Sequence, residues 1–385
     1  MKVLIPVLES KLHPIGGPYG YLYNLKLGIE EISETSIKID FIKDVSKERT
    51  FTTKIKKNKE KLYKPYIILK ILCAKYRKER TGYDGYDIVH FHSSLDMWLN
   101  QNKIKKSKAT IVLTSHSPSV WYKEFIDNFN IRSKCIKGLA EKIDQYAFEC
   151  ANYIVFPCRE AEEPYYNNWE YYTKFKLTNE YKYKYLLSGI KKCNYKIERK
   201  DIREKYGIPK AAKVLCYVGR HNKYKGYDLL KKAFDEKLKE KGYYVIVAGK
   251  EEPMKGIEDE KWIEVGWTDD PYSIVNSADL FILPNRETYF DLVVLEVLSL
   301  GKCILMSETG GNNFFKKTLS AGIFYFKKEN ALSLSNAVES FFGNPRHWID
   351  GEKENEKLFQ SFFNEKIFAQ NYIKLMEEIL YENRK

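Results

Sequence analysis

Three cations, Arg220, Lys223 and Lys225, stand between the glycines of Gly219-Arg220-His221-Asn222-Lys223-Tyr224-Lys225-Gly226, where an apolar run (213–219) gives way to a helical stretch (227–241). A strand followed by a helix puts Arg220 at the strand end and Lys225 at the helix start. Two fixed positive charges beside free helix N–H groups suit a diphosphate. They also suit a leaving group that gains negative charge as its bond breaks. The same residues read equally as a basic surface loop. A second stretch, Pro284-Asn285-Arg286-Glu287-Thr288-Tyr289-Phe290-Asp291-Leu292-Val293-Val294-Leu295-Glu296-Val297-Leu298-Ser299-Leu300-Gly301, predicts a helix that starts at an Asp291 N-cap and stops at Gly301. Glu296 is its one charged residue among Leu and Val. A carboxylate there is costly unless it is paired or reads a ligand. The two adjacent hydroxyls of a ribose are a fitting partner, and an ion pair with a core neighbour is the other reading. A third stretch, His13-Pro14-Ile15-Gly16-Gly17-Pro18-Tyr19-Gly20, enters the helical run 21–31. Gly16 and Gly17 let backbone approach a ligand and the helix start offers N–H groups to a phosphate, although a plain turn has the same composition.

Histidines supply the remaining candidates. His90 and His92 close an apolar run and share one strand face. No third ligand stands at a spacing that makes a metal site, so they read as polar strand-end residues. His116 lies at a different strand end, in Thr114-Ser115-His116-Ser117.

These loops need strands to carry them. The runs 2–8, 37–42, 87–92, 110–116 and 152–158 read as buried parallel strands, as do 213–219, 243–249, 262–266, 280–284 and 303–307. Helical stretches such as 227–241 and 271–278 alternate with them. The pattern predicts an α/β protein of two Rossmann-like, doubly wound domains. The basic, polar stretch 188–203 marks the boundary. We place the domains at residues 1–195 and 196–365, with a terminal helix over 366–385 positioned to return to the first domain. Two such domains facing each other leave a cleft at the C-terminal ends of both sheets, and every motif above follows a strand.

In order and content these stretches resemble the retaining glycosyltransferase family 4, of GT-B fold. Gly16-Gly17, Thr114–Ser117, Ser188-Gly189-Ile190, Gly219–Gly226, and Glu287–Gly301 followed by Glu308-Thr309-Gly310-Gly311-Asn312 carry the resemblance, which spans essentially the whole chain. It implies that Arg220 and Lys225 contact a donor diphosphate and that Glu296, the second Glu of the family's Glu–seven residues–Glu motif, holds the ribose. Gly16 and Gly17 belong to the loop over the phosphates, and His116 to the neighbourhood of the transferred sugar. Gly249–Glu251 and Gly266–Thr268, with Trp267 between, frame the base. Phe290, Asp291 and Leu292 fall within the donor motif. One departure concerns the sugar: eight residues before Glu296 stands Thr288, not Glu, with Glu287 one residue earlier and Asp291 where the family usually has Gly.

The implied reaction moves a sugar from a nucleotide-diphosphate sugar, with UDP favoured, to a glycan or lipid-linked acceptor, such as one in surface polysaccharide assembly. No Asp-x-Asp motif is present, so metal independence is expected, as is the absence of any cofactor. Retention by front-face displacement follows from the family and from the lack of an evident nucleophile. A sugar-nucleotide epimerase of the same architecture is the alternative.

Composition bounds the rest. The chain has 385 residues, 44% hydrophobic and 30% charged, with a net charge of +13. No apolar run is long enough to cross a bilayer and the N-terminus lacks a secretory signal, so a cytoplasmic location is expected, with the inner membrane face open to it through a basic stretch. The seven cysteines are scattered and read as reduced thiols. Lys54–Arg80 mixes Lys and Arg with Ile67, Ile68, Leu69, Ile71 and Leu72. It reads as a surface for an anionic membrane or as a solvated basic helix. No G-x-G-x-x-G follows a strand, which disfavours nicotinamide chemistry. No stacking motif or zinc module supports a nucleic-acid partner.

Overall fold

The computed structural model describes residues 1–7, 12–14, 17–33, 35–43, 60–79, 81–117, 119–344 and 346–383. Gly16, residues 54–59 of the basic stretch and Arg80 lie outside them. The chain divides into two units. The first comprises Met1–Pro157, Tyr165–Leu186 and Ala369–Lys385, and the second Cys158–Pro164 and Leu187–Phe368.

Unit 1 contains β1 (Lys2–Val7), β2 (Lys38–Lys43), β3 (Ile88–Phe91), β4 (Thr110–Thr114), β5 (Tyr153–Phe156) and β6 (Tyr183–Tyr185). They form one parallel sheet in the order β2-β1-β3-β4-β5-β6. Strands β3, β4 and β5 are buried along their whole length, as strands covered on both faces must be. Three aromatics of the 159–172 stretch fill the core. Tyr165, Trp169 and Tyr172 are at most 1% exposed and pack around Phe148 and Phe156. The terminal helix Glu365–Asn383 contributes Tyr372 and Met376 to the buried interior.

Unit 2 contains β7 (Val214–Val218), β8 (Tyr244–Ala248), β9 (Trp262–Gly266), β10 (Leu280–Leu283), β11 (Ile304–Ser307) and β12 (Ile323–Phe326). Its sheet, also parallel, runs β12-β11-β10-β7-β8-β9. Chain order therefore reverses between β7 and β10, and an open α/β sheet leaves a crevice at the C-terminal ends of the two strands at such a switch. The helix over 227–241 is interrupted: Tyr227–Ala233 is α-helical and Phe234–Leu238 forms a π-helical turn. The helix that carries Glu296 spans Leu292–Ser299 and ends where Gly301, at φ +66°, takes the left-handed conformation that a side chain disfavours.

Candidate functional site in the second unit

The loops after β7 and β10 meet at the switch point. Gly226 sits at φ +65°, and a Cβ there would lie 1.7 Å from the Pro284 carbonyl oxygen. Only glycine allows the two loops to touch. The loop after β8 is equally close, since a Cβ on Gly249 would lie 2.0 Å from the Gly219 oxygen. Gly249 also donates its N–H to the Gly266 carbonyl at 2.9 Å, which brings the Gly266–Thr268 loop alongside. Trp267 is exposed there and Thr268 accepts from the Asp270 N–H at 3.1 Å. Four strand ends thus present their loops together. Glu251 is exposed and accepts from the Gly256 N–H at 2.9 Å.

Arg220 is exposed and forms no ion pair among the described residues. The Lys225 ammonium is half-buried and lies 2.6 Å from Asp291 Oδ2. Asp291 does occupy the N-cap position of Leu292–Ser299, but its side chain makes no capping bond. It accepts from Lys225 and from Asn285 Nδ2 instead. Asn285 is fully buried and its Oδ1 has no hydrogen-bond partner among the described residues. Local capping loses to a charge-assisted bond made across the crevice.

Glu296, one and a half turns further on, forms no ion pair among the described residues. The Tyr272 hydroxyl donates to its Oε1 at 3.4 Å. Burial raises its pKa to about 7, the Tyr272 hydrogen bond pulls the other way, and the Asp291 charge adds to the rise. A carboxylate in an apolar site without a cation nearby is poised to accept hydrogen bonds from a ligand.

Thr288, at the place of the missing Glu, is fully buried with its Oγ1 unpaired among the described residues. Its carbonyl lies under the loop after β11: a Cβ on Gly310, at φ +43°, would approach it to 2.0 Å. Glu287 is half-buried beside it, and Phe290 packs on Phe315. Two supporting residues had no sequence signal. Glu163 holds the Gly310 loop through the Gly310 N–H (3.0 Å) and the Thr309 hydroxyl (3.2 Å). Arg286 forms a two-pronged ion pair with Asp228 at 2.7 and 2.8 Å, which clamps the loop after β10 to the helix Tyr227–Ala233. His221 stacks on Tyr227 at 4.0 Å, fully buried, with neither ring nitrogen hydrogen-bonded among the described residues. Burial lowers its pKa.

In unit 1 the histidines form a chain. His90 is buried, with ring nitrogens 3.0 Å from the Tyr372 hydroxyl and 2.8 Å from Thr114 Oγ1. His92 Nδ1 lies 2.8 Å from His116 Nε2, so one ring donates and the other accepts. Burial drives His90 and His116 down to about 3 and His92 well below its usual value. All three are neutral imidazoles at pH 7. His90 is therefore a core residue and not a strand-end one, and the partnership of His92 with His116 was not visible in sequence. Gly17 begins the helix Gly17–Glu30 and is exposed. Among the described residues no group of His, Cys, Asp and Glu side chains is placed to hold a metal ion.

Two six-stranded, doubly wound parallel sheets give the chain the GT-B class of fold. Residues 212–344 match the family described as glycosyl transferases group 1. The chain is 23% identical over 262 residues to a glycosyltransferase of Methanocaldococcus jannaschii, covering 64% of each chain. It is 25% identical over 148 residues to the N,N'-diacetylbacillosaminyl-diphospho-undecaprenol alpha-1,3-N-acetylgalactosaminyltransferase of Campylobacter jejuni, covering 37% of this chain and 39% of that one. It thus spans less than two thirds of the length of both relatives. Among solved structures, sucrose-phosphate synthase of Thermosynechococcus elongatus superposes with a TM-score of 0.69 at 16% identity, over 99% of both chains. HepE of Anabaena, in complex with UDP and glucose, gives 0.63 at 13% identity, over 98% of this chain and 99% of that one.

Proposed function

We propose that the protein is a glycosyltransferase that takes its sugar from a nucleotide-diphosphate donor, with UDP the favoured nucleotide. Glu296 carries the reading: it is a carboxylate kept without a cation, on the helix whose first residue follows the Lys225-paired Asp291. Arg220, Lys225 and the start of the helix Leu292–Ser299 meet the diphosphate, and Glu296 takes the ribose hydroxyls. The loops Gly249–Glu251 and Gly266–Thr268 border the base. The glycosidic C–O bond to phosphate breaks as the acceptor oxygen bonds to the sugar, with retention. The departing diphosphate receives the acceptor proton, and Arg220 and Lys225 offset its growing charge without a metal. His116, in unit 1, can serve only as a neutral hydrogen-bonding imidazole, because burial withholds its positive charge at pH 7.

A saccharide or lipid-linked acceptor, in surface glycan assembly at the cytoplasmic membrane face, fits the remaining features. The helix Glu60–Cys73 and the turn after it expose Leu69 (59%), Leu72 (51%) and Tyr76 (73%) near Lys70, Lys75 and Lys78, while Ile67, Ile68 and Ile71 pack inward. Exposed apolar side chains with basic neighbours match an anionic lipid surface. No helix among the described residues is long and apolar enough to cross a membrane.

Calorimetric titration with UDP tests the donor site. Glu296→Ala and Lys225→Ala are each expected to weaken UDP roughly 10- to 100-fold, the worth of about 1–3 kcal/mol per charged hydrogen bond. Unchanged affinity in both variants would remove the assignment.

A further inference from the structure

The Lys225–Asp291 ion pair stands where the proposed donor site needs its cation free. Asp291 puts a carboxylate at the start of the helix Leu292–Ser299, a place that favours anions, and an incoming diphosphate is another anion. It is not spent on capping the helix, since its side chain makes no capping bond. It is not an exposed ornament either, being 17% exposed and held by two donors, Lys225 Nζ and Asn285 Nδ2. A diphosphate that reaches Lys225 must take the ammonium from Asp291, after which the carboxylate keeps Asn285 and faces the ligand's charge.

The size of that repulsion depends on the ligand. An intact sugar nucleotide is a pyrophosphate diester with one negative charge per phosphoryl group. The free nucleoside diphosphate left after transfer ends in a phosphate whose second ionisation lies near pH ~6, so it carries about one charge more at pH 7. A fixed carboxylate beside the site therefore disfavours product more than substrate. We propose that Asp291 is a release residue: by competing for Lys225 and repelling the extra charge of the product, it speeds expulsion of the nucleoside diphosphate relative to the intact donor. The inference rests on the donor reading of this crevice and adds a selection between donor and product.

The test titrates UDP and its methyl ester on the terminal phosphate into wild type, Asp291→Asn, Lys225→Gln and the double variant. The ester carries the diester charge and no sugar, so the donor sugar need not be known. Asp291→Asn is expected to tighten UDP roughly tenfold and the ester clearly less. In the Lys225→Gln background the gain common to both probes is expected to shrink, because the competition runs through the ammonium, while the preferential tightening of UDP over the ester persists, because the repulsion does not. Circular dichroism melts verify that each variant folds, and Asp291→Ser serves if the Asn variant does not. Equal tightening of both probes, or UDP binding that is unchanged or weaker without Asp291, overturns the proposal. Wild type that binds neither UDP nor the ester removes the donor reading itself and the inference with it.

Discussion

A single proton on Glu296 links the candidate site to the stability of unit 2. Its folded pKa, about 7, lies above the usual carboxylate value because burial penalises the charged form. The stabilising contribution is thus present in full below the unfolded pKa and is lost as pH rises through 7. Above that pH the fold carries an ionised, cation-free carboxylate, at a cost on the order of 1–3 kcal/mol. Glu296→Gln is expected to raise the melting temperature by roughly 2–4 °C at pH 8 and to change it little at pH 5. Equal melting temperatures at pH 8 would show that Glu296 is not burdened. The cost is of the kind that a binding site imposes on its host. Glu296 could be singled out from sequence because no other residue of its helix is charged. The resemblance places Asp291 in the donor motif, but its residue type at a helix start reads only as a cap. Only the tertiary approach of Lys225, 66 residues earlier, reveals what it does.

At the scale of elements, glycines set how closely the strand-end loops meet. Gly226 carries two constraints, φ +65° and the Pro284 carbonyl 1.7 Å from where a Cβ would stand, whereas Gly207, at φ +66°, has nothing within 4 Å. Gly207→Ala is expected to cost about 1 kcal/mol, the strain of the left-handed conformation alone. Gly226→Ala must also part the loops after β7 and β10, and is expected to cost more than about 3 kcal/mol and to abolish UDP binding. Urea unfolding of the two variants checks the contrast; similar midpoints would mean that the loops yield freely. The inner strands were readable in advance because strands covered on both faces are written as unbroken apolar runs, as in Val214–Val218 and Leu280–Leu283. Strands β6 and β12 escaped for the opposite reason. Both are sheet edges: Tyr183–Tyr185 has three residues with a lysine at its centre, and Ile323–Phe326 is half-buried at its two middle positions. The π-helical turn at Phe234–Leu238 left no mark in a sequence whose helical pattern continues through it.

Across the whole molecule, the two units should respond differently to acid. In unit 1, His90, His92 and His116 are all held below the ordinary histidine value, while Asp144 is raised to about 7. A group with a depressed folded pKa loses its contribution as pH falls below the unfolded value, and a raised one gains. Between pH 4.5 and 6.5 the unfolded unit takes up about three protons on histidine and holds about one fewer on Asp144. Its net excess of about two protons corresponds to roughly 2–3 kcal/mol lost per pH unit of acidification. In unit 2 the lowered pKa of His221 and the raised one of Glu296 act in opposite directions. Its salt-bridged carboxylates Asp228, Asp259 and Glu339, held low by Arg286, Lys239 and Lys237, matter only at lower pH. Amide hydrogen exchange at pH 7.5 and 5.0, corrected for intrinsic rates, should show β3, β4 and β5 losing protection while β7, β8 and β10 keep theirs. His116→Gln should soften the acid response of unit 1, since a glutamine amide can bond to His92 without titrating. Parallel loss of protection in both units would mean that the buried histidines do not govern acid lability, and that the charge pattern of the surface does.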